Sequence, residues 1–397
     1  MKALGRLGNK INPGVEKMAD ERKIKVHKKQ HKYKPEDVGY CPETIEQVNR
    51  HLSELIDRKR LQAAAYIMSK DGKVFVHNSM GKLLYDNDEK DFLPDSIRTI
   101  ASITKVFVAV SILQLVEKGA IRLDQPVAEI LKEFKTPMFE KIKIIHLLTH
   151  TSGIRPDPGA FFEPYPLDWR WFSKKEWIKE SLRDFLLLAP GKEWRYSSTG
   201  FIILAEIVSR VSGIHFEKYV LDNITTPLDM NTTFFDIPDE FLDRVCFTDK
   251  HEREWYEKDK TRPDWASPRG GGGLHSTLGD LQRLGQMLIN KGTLNGARIL
   301  SRKTVEAMTR NHIKGAINYC WDAGGIEMEY GLGMNVYSNN TFLSPGSFSH
   351  EGAGLCGLYM DPVENFVLAY MCPLGKNIEW EAEAVINLRN IVWSGIE

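Results

Sequence analysis

Apolar positions recur at Ile45, Val48, Leu52 and Leu55/Ile56 in "PETIEQVNRHLSELIDRK", a spacing that predicts an amphipathic helix opening the folded region. The period then changes. In "AAAYIMSKDGKVFVHNSMG" two strand-like runs flank Asp71-Gly72, and a hairpin is predicted there because glycine readily supplies the positive φ of a tight turn. From residue 102 to residue 247 the pattern is helical, punctuated by Gly119, Pro126, Pro137, Gly153, Pro190-Gly191, Gly213 and Pro227. Helices are predicted over 103–118, 127–134, 144–150, 174–187, 198–212 and 215–222, with another from about Leu278. Strand character returns in "YGLGMNVYS", "FSHEGAG", "LCGLYMD" and "NFVLAYMC" before a last helix around 379–393.

Strands near both ends with helices between them imply an α+β fold: a sheet assembled from distant parts of the chain, with a mainly helical region inserted. The expected organisation is a basic arm over 1–40, a sheet domain from 41–101 and 311–397, and a helical domain over 102–310. Clefts form at such seams, so the site is expected there.

Composition narrows the function. The 397 residues balance 53 Lys+Arg against 53 Asp+Glu, which removes the broad positive field that nucleic-acid binding needs and favours a small-molecule site. Residues 1–37 are the exception, with eleven Lys/Arg against five Asp/Glu, and are expected to be a solvated arm or loose wrap. Five cysteines without a Cys-x-x-Cys pair suggest neither a disulfide framework nor a zinc site. No apolar run approaches the roughly 20 residues of a membrane span, and no secretory signal is evident at the N-terminus. A cytoplasmic location without a membrane span is therefore expected.

The chemistry centres on "TIASITKVFVAVSILQLVEKG", residues 99–119, where Ser102 and Lys105 share one face at the start of an apolar helix. Taken alone, the pair leaves two uses open. Burial would lower the lysine pKa and suit it to take the serine's proton, or the lysine simply reaches water from the first turn. A second Ser-x-x-Lys, Ser79 to Lys82, follows a strand and has a glycine between its members, so nothing makes those side chains converge.

Further stretches follow in order: "LLTHTSGI" at 147–154, "PGKEWRYSSTGF" with Tyr196, "GGGGLHSTLGDLQRLGQML" and "HEGAG" at 350–354. Together with "ASITK" they make residues 60–375 resemble the serine β-lactamase and penicillin-recognising family, particularly its class C branch and the related carboxylesterases. The resemblance implies a β-lactamase/transpeptidase-like fold, with an antiparallel sheet flanked by N- and C-terminal helices. It implies Ser102 as the acylated nucleophile, with Lys105 and Tyr196 handling its proton, and the N–H groups of Ser102 and Ala353 as an oxyanion hole. Gly352 would let the strand backbone approach the substrate closely.

Two positions depart from the lactamase pattern. Tyr196-Ser197-Ser198 stands where Tyr-x-Asn is usual, so Ser198 replaces an amide that grips a substrate carbonyl. His350-Glu351-Gly352 stands where Lys-Thr-Gly is usual, exchanging a permanent cation for an imidazole with a neighbouring carboxylate. The first makes recognition of an amide doubtful, and the second favours a substrate without a carboxylate. The expected activity is hydrolysis of small carboxylic esters, with β-lactamase, D-peptidase or D-aminopeptidase, or acyltransferase activity as the alternative, and a non-catalytic binding or sensory module as a further one. No cofactor is expected. His146 and His150, four apart, lack the glutamate of a His-Glu-x-x-His site, so no metal is expected either. The aromatic segment with Phe161, Phe162, Tyr165, Trp169, Trp171 and Trp177 is either lid packing or an apolar acyl or alcohol pocket.

Overall fold

A computed structural model of the chain describes residues 24–157, 174–183, 185, 186, 188–320, 325–338, 342–374 and 382–397. Most of the aromatic segment, Phe161 to Trp171, lies outside the described residues, as do residues 1–23 of the basic arm.

The sheet is built from β1 (Val26–Lys28), β2 (Ala63–Lys70), β3 (Lys73–Leu84), β4 (Asn87–Asp91), β5 (Asn335–Tyr337), β6 (Ser347–Gly352), β7 (Cys356–Asp361) and β8 (Phe366–Met371). Its order is β1-β3-β2-β8-β7-β6-β5, with β4 on β3, and every pairing is antiparallel. The Asp71-Gly72 turn joins β2 to β3, with both residues at positive φ.

Alternation along the central strands explains why both faces are covered. Ala63, Ala65 and Ile67 of β2 enter one core, and Ala64, Tyr66 and Met68 enter the other. Phe366, Leu368 and Tyr370 of β8 likewise oppose Val367, Ala369 and Met371. Strands apolar on both sides must be sandwiched. Helix α1 (Pro42–Asp57) and the C-terminal α8 (Ala382–Trp393) pack together over one face, through Val48, Leu52, Leu388 and Trp393. Helix α7 (Leu278–Ile289) covers the other, against β7, β8 and β2.

The helical region centres on α2 (Thr104–Glu117), whose residues from Thr104 to Leu115 are all buried. A helix apolar all round belongs inside a core. It packs against α4 (Ser198–Ser212), which also holds α3 (Ile144–Leu148) and α5 (Phe216–Val220). No single described helix is long and apolar enough to cross a membrane.

Several expectations need correction. Residues 24–40 are no loose arm: β1 is an edge strand on β3, and Tyr40 is fully buried with its hydroxyl on the Val392 carbonyl, 2.8 Å away. The 102–310 stretch is not one separate lobe, because α7 belongs to the sheet's own layers. Residues 127–134 form two short 3₁₀ turns, Val127–Glu129 and Lys132–Phe134, and within 174–187 only Trp177–Ser181 is helical among the described residues. Helix α6 (Lys250–Lys260) had no apolar stripe to announce it, since only Tyr256 is buried, yet Asp249 caps it by accepting the Glu252 N–H at 2.7 Å.

Gly285 sets how closely α7 approaches the sheet: a Cβ there would lie 2.7 Å from Val367 Cγ1 and 3.1 Å from Leu358 Cδ1. Gly285→Ala is therefore expected to lower stability, although the same change in an exposed helix raises it by about 0.5–1 kcal/mol. Urea denaturation checks the sign.

Candidate active site

A 3₁₀ turn, Ala101–Ile103, feeds α2 and carries Ser102 at its centre. Ala101 is held at φ 42°, a left-handed conformation costly for a residue with a side chain, so the surrounding packing fixes the serine's approach. One turn on, Lys105 is fully buried, with Nζ 2.9 Å from Ser102 Oγ and 2.5 Å from the Gly271 carbonyl. Of the two uses the sequence left open, the solvent-reaching one fails. Desolvation lowers the Lys105 pKa to about 8, with the Asp157 carboxylate pulling the other way. The nearby helix N-terminus disfavours a cation further.

Tyr196 joins them from the segment entering α4. It hydrogen-bonds Ser102, and Lys105 Nζ lies 4.9 Å from the centre of its ring. Burial first, then Tyr330 and Asp157, raises its pKa well above the usual value, so the phenol keeps its proton at neutral pH.

The 149–157 loop clamps this segment. The Ser197 N–H donates to His150 Nδ1 at 3.0 Å, Arg195 N–H to the His150 carbonyl at 2.8 Å, and Asp157 N–H to the Tyr196 carbonyl at 2.9 Å. The His150 ring lies 4.3 Å from that of Tyr196, and burial holds its pKa well below the ordinary value. His146 instead accepts from the Lys143 N–H at 3.2 Å, so the two histidines serve separate backbone contacts. Residue spacing alone gave His150 only a metal reading, and its clamping role was missed.

Asp157 was missed altogether. Its Oδ1 accepts the Ser198 N–H and its Oδ2 the Ser198 hydroxyl, both at 2.6 Å. Ser198, expected to bind substrate, thus has its proton committed to a carboxylate. Burial raises the Asp157 pKa, opposed by Lys105 and Ser198.

Strand β6 closes the other side. A Cβ on Gly352 would sit 2.4 Å from the Ile100 carbonyl oxygen and 3.2 Å from Ala101 Cβ, so only glycine lets the strand end bearing Ala353 lie against the serine's turn. His350 is 3% exposed, and burial with the nearby Lys105 lowers its pKa to about 3. Its Nδ1 lies 2.7 Å from the Glu351 carbonyl, which can only accept, so Nδ1 carries the proton and Nε2 a lone pair. Glu351, the carboxylate next to His350 in the sequence, does not face the imidazole. It alternates to the opposite face, where Oε1 accepts from the hydroxyls of Tyr359 at 2.5 Å and Tyr370 at 3.0 Å, while Arg389 of α8 donates to Tyr359 at 2.8 Å.

Gly270–Gly273 forms the floor. Gly270 is pressed on α4, where a Cβ would lie 2.5 Å from the Phe201 carbonyl, and Gly271 supplies the carbonyl for Lys105. A cleft of about 610 Å³ opens from it, bordered by Ala101, Ser198, Ile202, Phe235 and Trp255.

A hydrolase fold in which a buried lysine and a phenol meet one serine at a sheet–helix seam defines the penicillin-recognising class of serine enzymes. The chain belongs to the Beta-lactamase family, whose model matches residues 48–385. This is a family of serine hydrolases that includes esterases, peptidases and β-lactamases. The chain is 28% identical over 189 residues to Penicillin-binding protein 4* of Bacillus subtilis, covering 46% of this chain and 40% of that one. It is 29% identical over 195 residues to Esterase EstB of Burkholderia gladioli, covering 46% and 49%. In both cases it spans half or less of the relative's length. The solved structure of an octameric penicillin-binding protein homologue from Pyrococcus abyssi aligns over 88% of this chain and 76% of that one, with a TM-score of 0.66 and 26% identity.

Gly352→Ala is expected to slow fluorophosphonate labelling of Ser102 by about 10²-fold, since displacements near 1 Å cost that much. Labelling rates on folded protein, checked by circular dichroism, test it.

Proposed function

We propose that the protein hydrolyses small carboxylic esters through a covalent acyl-enzyme on Ser102. The observation that carries this reading is the fully buried Lys105 amine 2.9 Å from the Ser102 hydroxyl. Neutral Lys105 takes the hydroxyl proton as Oγ attacks the ester carbonyl. The tetrahedral oxygen is held by the N–H groups of Ser102 and Ala353, each such donor contributing about 3–4 kcal/mol in comparable hydrolases. Tyr196, protonated at working pH, passes a proton to the leaving alkoxide and is reprotonated by Lys105. In deacylation a water attacks the acyl-enzyme carbonyl while neutral Lys105 takes its proton; the Ser102–acyl bond breaks, Tyr196 gives its proton to the leaving Ser102 Oγ, and Lys105 reprotonates Tyr196.

Three features support an ester over a lactam or peptide. Neutral His350 offers no cation for a carboxylate. Ser198 has its proton on Asp157, so it cannot donate to an amide carbonyl. The cleft wall of Ile202, Phe235 and Trp255 suits an apolar acyl or alcohol group. The partial likeness to Esterase EstB agrees; the likeness to Penicillin-binding protein 4* keeps lactam or peptide turnover as the second reading.

Fluorophosphonate is expected to label wild-type protein at Ser102 and to leave Ser102→Ala unlabelled; full labelling of the variant overturns the assignment. Turnover of p-nitrophenyl butyrate is expected to exceed that of nitrocefin, and the reverse order overturns the ester reading. With a base that must be neutral and has a pKa of about 8, kcat/KM is expected to fall about tenfold per pH unit below that value. A pH–rate profile checks it.

A further inference from the structure

We propose that the site selects acyl donors carrying a protonated amine, with the Asp157 carboxylate as the group that recognises it. This rests on the acyl-enzyme reading above and names its substrate class.

A carboxylate accepts at about four positions, two on each oxygen. Ser198 occupies one on each, at 2.6 Å, leaving two acceptor positions with no hydrogen to fill them from Ser198. Ser198 borders the cleft together with Ala101 and Gly271, so the carboxylate stands one side chain behind the wall nearest the nucleophile.

Among the described residues that line the cleft, the lysine and arginines are already committed. Lys260 is held by Asp239 at 3.0 Å, Arg262 by Asp259 at 3.2 Å, and Arg269 by both oxygens of Asp236 at 2.7 Å. His350 adds a second and independent sign. It is buried, neutral, and has an Nε2 lone pair without a hydrogen-bond partner among the described residues, so a donor-seeking atom stands where a cation would be needed to hold a carboxylate.

Lys105 makes the preference functional. The titratable groups around it are Asp157, Tyr196, His150 and His350, and only Asp157 is an anion that stabilises its charge. When Lys105 gives up its proton to act as a base, Asp157 loses its counter-charge. An ammonium on the substrate replaces it, and by repelling a charged lysine it also favours the neutral, reactive amine. An anionic acyl group does the opposite on both counts.

The test uses three benzyl esters of matched shape: β-alanine, butyric acid and the half ester of succinic acid, cationic, neutral and anionic at pH 7. Benzyl alcohol release gives kcat/KM for each. Wild type is expected to rank them cationic, neutral, anionic, with the first exceeding the second by about tenfold or more. In Asp157→Asn the cationic-to-neutral ratio is expected to fall to about one, and in Asp157→Glu the ranking is expected to persist. Because each ratio is taken within one protein, a smaller folded fraction cancels. Removing the carboxylate also lowers the Lys105 pKa, so the acidic limb of kcat/KM for the butyrate ester should move to lower pH in Asp157→Asn. A wild-type ratio of one or below, or a preference retained in Asp157→Asn, overturns this inference while leaving the acyl-enzyme reading in place. No turnover of any ester, with Ser102 unlabelled by fluorophosphonate, overturns both.

Discussion

Everything in the site depends on keeping one amine dry. A lysine in the first turn of an exposed helix would stay charged and point to water. Here the helix is buried on every side, and the amine lies 2.9 Å from the serine hydroxyl and 2.5 Å from a glycine carbonyl. Desolvation turns an ordinary cation into a group that is neutral in an appreciable fraction of molecules near neutral pH. The same dryness has the opposite effect on the neighbouring phenol, which is driven to keep its proton. One environment thus separates an acceptor from a donor within reach of a single hydroxyl.

The rest of the architecture holds three distant segments against that amine. The serine's turn is wedged between a glycine-pinned strand end and a glycine floor, and the tyrosine's segment is fastened through backbone contacts to the loop containing His150 and Asp157. Three left-handed residues with side chains lie in these segments: Ala101 at φ 42°, His150 at 56° and Leu355 at 58°. Each is tolerated only where surrounding contacts over-determine the backbone.

Much of this was legible in the chain because its signals were local. Apolar period marked α1, α2, α4 and α7, the strand alternation and the Asp71-Gly72 turn marked the central sheet, and the Ser-x-x-Lys spacing placed two groups on one helical face. What stayed hidden depended on long-range contact. Asp157 sits in a loop with no periodicity and gains meaning only from Ser198, 41 residues away. Glu351 is next to His350 in sequence but opposite to it in space, because adjacent strand residues face opposite ways. Helix α6 is polar nearly all round, so no burial pattern betrayed it, and residues 24–40 looked like a charged tail because their partners lie at β3 and the far C-terminus.

The contact from Arg389 through Tyr359 to Glu351 ties the last helix to the strand position between His350 and Gly352. That strand position is therefore braced from outside the cleft, by a helix that gives no atom to the cluster of Ser102, Lys105 and Tyr196.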